Sequence, residues 1–105
     1  MLNPKLPEPD LLKALLQPLL EDFGYWFERS RQLLEREEIP FLSSTEQLDL
    51  LNRVRQAQQE LNATQALFQA TGGQVGVETT MLMPWHKLLT ECWQVAMRFR
   101  KEQSR

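Results

Sequence analysis

The sequence has 105 residues, of which 42% are hydrophobic and 25% are charged. These proportions are those of one folded globular domain and exclude a disordered chain, and the length is well above that at which disulfides or metals become necessary for folding. The single cysteine, Cys92, excludes an intramolecular disulfide and favours a reducing compartment.

Charge is unevenly distributed along the chain. Residues 1–50 contain ten acidic and five basic residues, whereas residues 51–105 contain four acidic and seven basic ones. The acidic half argues against a nucleic-acid-binding protein, which needs a positive field over its contact face.

We recognise no signal peptide and no apolar stretch long enough to span a membrane. The expectation is a cytoplasmic protein without a transmembrane segment.

The N-terminal part of the sequence predicts an extended arm followed by a long helix. Three prolines lie within residues 1–9, and Asp10 can then cap a helix over about 10–37. Residues recur along this helix in steps of four and three, the spacing of a stripe that faces a partner helix. The predicted stripe consists of Leu12, Leu16, Leu19, Phe23, Trp26, Ser30 and Leu33. Further apolar residues widen it, namely Leu11, Leu15, Leu20, Phe27 and Leu34, so we expect contact with two neighbouring helices.

A second helix is predicted over about 44–70. Ser43 and Glu46 have the spacing of a capping box, in which each residue satisfies a free backbone N–H group near the helix start. Gly72 and Gly73 end the helix, because glycine adopts the left-handed conformation found just past a helix end.

The third predicted helix runs over about 81–101, after a glycine-rich connector at 71–80. Trp85 and Cys92 lie on its apolar stripe, so we expect Cys92 to be a buried, inert thiol. No segment alternates with the period of two that marks a strand. The predicted fold is therefore all-α, a single domain forming a three-helix up-down-up bundle with long first and second helices.

Few residues could carry catalysis or bind a metal. His86 is the only histidine, and Cys92 lies six residues further on, about 120° around the helix, so one metal ion could not easily bind both. The glycines fit no nucleotide-binding pattern. We therefore predict a non-enzymatic protein with no catalytic residue, no cofactor and no metal site.

Aromatic residues are more numerous than core packing requires. Tyr25 lies off the predicted stripe, and the first helix is more apolar than a monomeric bundle needs. We therefore predict a protein–protein interaction module, such as an adaptor, an assembly factor or a small regulator. The predicted partner-binding residues are Tyr25, Trp26, Gly72, Gly73, Gln74, Trp85 and His86. Two alternatives stay open: a homodimer, and a ligand-binding module that holds a pigment, a lipid or another apolar molecule between helices.

Five segments carry a resemblance to a known family. They are LPEPDLL (6–12), PLLEDFGYWFERSR (18–31), EIPFLS (38–43), ATGGQVGVE (70–78) and LMPWHKLLTECWQVAMRFR (82–100). With these segments the chain resembles a family of small uncharacterised proteins from cyanobacteria. The resemblance implies a photosynthetic prokaryote and a cytoplasmic or membrane-peripheral location, and it makes a partner in photosynthetic or carbon-fixation machinery an expectation. It implies no activity and assigns no functional residue.

Overall fold

The computed structural model describes residues 9–73 and 79–104, and these form three α-helices. The helices are α1 (Pro9–Arg36), α2 (Ser44–Ala70) and α3 (Thr79–Gln103). Their bounds lie within two residues of the predicted ones, and α1 continues through Pro18. The predicted arm before Pro9 and connector positions 74–78 lie outside the described residues.

Contacts between side chains establish the up-down-up arrangement. α2 runs antiparallel to α1, because Gln58 contacts Glu28 whereas Arg55, earlier in α2, contacts Glu35 further along α1. α3 runs parallel to α1, with ring centroids 5.7 Å apart both for Phe23 and Trp85 and for Trp26 and Trp93. The predicted all-α three-helix bundle is confirmed.

The core lies where the three helices meet, and it is rotated relative to the predicted stripe of α1. The buried residues of α1 are Leu16, Leu20, Phe23, Phe27, Ser30 and Leu34. Two members of the predicted stripe, Leu19 and Trp26, are instead partly exposed. The prediction was wrong at these positions because α1 packs most closely against α2, which turns the inward face of the helix toward Leu20 and Phe27. On α3 the predicted stripe residues Trp85 and Cys92 are buried, and α2 contributes Leu50, Val54, Ala57, Leu61 and Phe68 to the core.

The turn between α1 and α2 is held by backbone capping at both helix ends. The backbone N–H of Glu46 donates to Ser43 Oγ at 3.0 Å, and the N–H of Ser43 donates to the Glu46 carboxylate at 2.9 Å, which confirms the predicted capping box. The Gln47 amide donates to the carbonyl oxygens of Leu34 at 2.9 Å and Glu37 at 2.7 Å. Its own oxygen accepts from the Ile39 N–H at 3.0 Å. One α2 side chain therefore satisfies the C-terminus of α1.

We expect Gln47→Glu to destabilise the fold by about 2–3 kcal/mol, since it removes two donors and places a carboxylate beside two carbonyl oxygens. Gln59→Glu is the matched control, because Gln59 is exposed on the same helix. Urea unfolding followed by circular dichroism measures the difference. Equal stability of the two variants would show that the turn does not depend on the Gln47 amide.

A network of charged side chains joins the outer faces of α1 and α2. Arg31 forms ion pairs with Glu28 and Glu35, and Gln58 donates to Glu28 at 3.0 Å. Hydrogen bonds from Arg31 and Gln58 lower the pKa of Glu28 from 4.5 to about 2. The charged form of Glu28 is therefore the form that the fold favours.

The lowered pKa of Glu28 makes the free energy of unfolding depend on pH in a defined direction. Because the pKa of Glu28 is lowered in the folded state, its contribution is present above about pH 4.5 and is lost as pH falls toward 2. We expect Glu28→Gln to lose less unfolding free energy than the wild type between pH 5 and pH 2.5. Glu37→Gln, at the exposed residue directly after α1, is the control and should follow the wild-type curve. The difference will be small, since the Glu28 side chain is partly solvent-exposed.

A candidate protein-binding face

Exposed aromatic and basic side chains of α1 and α3 meet along one groove of the bundle. We call this surface the aromatic face, and it consists of Tyr25, Trp26, Arg29, Trp93, Met97 and Arg100. Trp26 and Trp93 pack edge to face at 5.7 Å and are 38% and 40% exposed. Tyr25 packs edge to face on Trp26 at 5.0 Å. The rings thus support one another while each keeps an accessible surface.

Small residues let α1 and α3 approach closely beneath these rings. Ser30 is buried, and its hydroxyl donates to the Trp26 carbonyl oxygen at 2.8 Å, so it leaves no unsatisfied polar group in the floor. Cys92 is buried beside it, and burial raises the pKa of its thiol, which keeps the sulfur protonated and inert. The groove above, next to Leu33 and Ala96, has a volume of about 150 Å³. It is large enough to receive an apolar side chain.

The aromatic face carries two positive charges. The Arg29 guanidinium lies 5.7 Å from the centre of the Tyr25 ring and donates to its hydroxyl at 3.2 Å. Neither Arg29 nor Arg100 forms an ion pair within the described ranges 9–73 and 79–104. Arg31 and Arg53, by contrast, each bind two carboxylates. The face is therefore apolar at its centre and positive at its edge.

The predicted partner-binding residues differ in where the structure places them. Tyr25 and Trp26 are exposed on the aromatic face, and His86 is exposed in the N-terminal part of α3. Trp85 is only 3% exposed and packs on Phe23. Its prediction as a surface contact was wrong, because the α3 stripe turns this ring into the core. Gln74 lies outside the described residues.

Gly72 and Gly73 form the C-terminal cap of α2. Their φ angles are +63° and +82°, and their N–H groups donate to the carbonyl oxygens of Gln69 at 3.0 Å and Phe68 at 2.8 Å. Gly73 is buried against α1, where an added Cβ would lie 2.8 Å from side-chain carbons of Lys13. The pair therefore has a structural role, and only Gly72 is exposed.

The two glycines provide a matched pair of variants. Gly72→Ala should cost about 1 kcal/mol, since its left-handed backbone disfavours a side chain but the space around it is open. Gly73→Ala should cost at least about 1 kcal/mol more, because the added methyl group also contacts Lys13. Thermal unfolding of both variants tests this order. A larger loss at Gly72 would contradict it.

Sequence reasoning did not assign Arg29, Trp93, Met97 and Arg100 to the candidate site. The last three are spaced at i, i+4 and i+7, so they share one helix face. Their spacing in the sequence could therefore have indicated that these three residues lie together on α3. The pairing of this face with Trp26, however, depends on how α1 and α3 pack.

Three further features can be examined in the described part of the chain, namely metal ligands, membrane-spanning helices and internal space. No group of three or more His, Cys, Asp or Glu residues there is arranged to hold a metal ion. No helix among the described residues combines the length and apolar character needed to cross a membrane. The internal space lined by Ser30, Leu34 and Cys92 measures about 10 Å³, which is room for one water at most.

Comparison with known proteins gives one match. No curated protein and no solved structure matches the chain. The model of a family described as protein of unknown function (DUF2605) matches residues 6–101, which is nearly the whole sequence. The chain therefore belongs to the DUF2605 family of proteins of unknown function.

Proposed function

We propose that this protein is a cytoplasmic, non-enzymatic protein–protein interaction module, an adaptor, assembly factor or small regulator, whose binding surface is the aromatic face. The observation that carries the proposal is the Trp26–Trp93 pair, which stays two-fifths exposed at the mouth of an apolar groove. A monomer in water gains nothing by leaving two indole rings accessible side by side. A protein that covers them gains the burial of both rings.

The composition of the face is that of a binding hot spot. Tryptophan, tyrosine and arginine supply most of the energy in protein interfaces, usually from the centre of the contact. Tyr25, Trp26 and Arg29 meet this description on α1, and Trp93 and Arg100 meet it on α3. Both helices are rigid elements, and the edge-to-face ring contacts already restrict the side chains. A partner therefore binds a largely preformed surface, at a low cost in side-chain entropy.

The groove between α2 and α3 offers a weaker candidate. Its side chains already satisfy one another, since Arg53 donates to Glu91 at 2.7 Å across the groove. Arg98 packs over the Phe41 ring at 4.1 Å and pairs with Glu102. A ligand there would have to replace contacts that exist, whereas a ligand on the aromatic face would add new ones.

The proposal is tested by affinity capture from a cyanobacterial lysate, which the sequence resemblance makes the natural source. A captured protein is identified, purified and titrated against the wild type, Trp26→Ala and Trp93→Ala. We expect each truncation to raise Kd about 30-fold, the loss typical of a hot-spot residue. Leu48→Ala is the control, because Leu48 is an exposed apolar residue on α2, outside the aromatic face, and the Kd of this variant should not change.

Unchanged affinity of both tryptophan variants, with native circular dichroism spectra, would remove the aromatic face from the proposal. Capture of no protein at all, combined with turnover of a small molecule, would overturn the proposed class of function.

A further inference from the structure

The N-terminal half of α1 exposes a second apolar strip that continues into the aromatic face. Leu11, Leu15 and Leu19 follow one another at intervals of four residues, and Leu15 is 60% exposed. Residues at this spacing lie one above the other on the same helix face. Trp26 continues this strip two turns beyond Leu19. We call Leu11, Leu15 and Leu19 the leucine strip.

The leucine strip and the groove of the aromatic face complement each other in shape and position. The strip is a row of projecting apolar side chains, and the groove beside Leu33 and Ala96 is an apolar recess. The strip lies on the N-terminal half of α1, whereas the groove lies between the C-terminal half of α1 and α3. A row of apolar residues on one helix face is the kind of anchor with which a helix enters such a groove. An antiparallel second copy of α1 would bring the Leu19 end of each strip to the other copy's groove.

Two charged residues on the same side of α1, Asp22 and Arg29, favour the antiparallel arrangement over a parallel one. Asp22 is exposed and makes no ion pair with the described residues, and Arg29 is likewise without a carboxylate. The two are seven residues apart, so they share a face but are separated by about 10 Å along the axis. A two-fold axis between Tyr25 and Trp26 would place Asp22 opposite Arg29 of the partner subunit, twice. A parallel pairing would instead set like charges against each other.

We propose that the aromatic face is occupied by a second copy of this chain, in an antiparallel homodimer centred on Tyr25 and Trp26. The inference rests on the proposed function, because it names the partner of the same face. At the centre the aromatic rings of the two copies meet. Two Asp22–Arg29 ion pairs flank them, and beyond these Leu19 of each copy reaches the Leu33 end of the other copy's groove. Such an isologous contact is closed and limits assembly to two copies.

Charge reversal with complementation tests the arrangement in the full-length protein. Sedimentation equilibrium at 1–100 µM protein, on the order of the Kd expected for such a contact, measures the dimer Kd of the wild type, D22R, R29E and the double variant. Each single reversal should raise Kd at least about 30-fold, because it creates two like-charge contacts. An equimolar mixture of D22R and R29E should form heterodimers within about threefold of the wild-type Kd, since every contact is again between opposite charges. The double variant should also dimerise.

A second pair of variants examines the apolar contact. Leu19→Glu should weaken the dimer by at least about 30-fold, since it places a carboxylate against the apolar Leu33 end of the groove. Leu48→Glu changes an exposed leucine outside the face and should leave Kd unaltered. Circular dichroism confirms that each variant folds.

Two results would overturn the dimer. One is a wild type that stays monomeric at 100 µM, and the other is single reversals that weaken the dimer without rescue in the mixture. If a monomeric wild type still captured another protein through Trp26 and Trp93, the proposed function would stand and only the identity of the partner would change. A rescued dimer whose capture of other proteins ignored both tryptophans would confirm the dimer and confine the face to self-association.

Discussion

Burial of one stripe of α1, with Phe27 completely inaccessible at its centre, is the constraint on which the rest of the structure depends. α1 is the helix that both others contact most, so its inward face decides where α2 and α3 lie. A helix can turn only part of its circumference toward the core. Once Phe23 and Phe27 point inward, Trp26 must lie at the edge, where it packs on Trp93 of α3 and stays 38% exposed. The aromatic face is thus a direct result of core packing.

The helix ends then determine how the helices are aligned along their axes. Gln47 and the Ser43 capping box hold the end of α1 against the start of α2, and the left-handed glycines close the other end of α2 over Lys13. Because the Gln47 amide donates to carbonyl oxygens at the end of α1, α2 cannot slide along α1 without losing these hydrogen bonds. Arg53 of α2 pairs with Glu91 of α3, whereas Arg29 makes no ion pair with the described residues.

The surfaces of the molecule differ in how many of their charged side chains form ion pairs. The α2–α3 grooves of about 550 and 450 Å³ are large enough for a small ligand, but they are open and bordered by residues that already form ion pairs. The aromatic face has fewer such contacts and more exposed ring surface. An extended protein surface fits this arrangement better than an enclosed small molecule does.

The sequence by itself determined the three helices, their ends and the fold class, because capping boxes, glycine caps and apolar periodicity act over a few neighbouring residues. It also singled out Tyr25 as lying off the predicted stripe of α1. Only the tertiary structure decided which of the neighbouring apolar residues point inward, since a helix with a broad apolar face can be rotated about its axis with little change in its local pattern. For the same reason the sequence could not show that Trp26 lies at the edge of the core, or foresee that the Gln47 side chain of α2 would cap the C-terminal end of α1. Those outcomes depend on the position of a second helix, which no local spacing specifies.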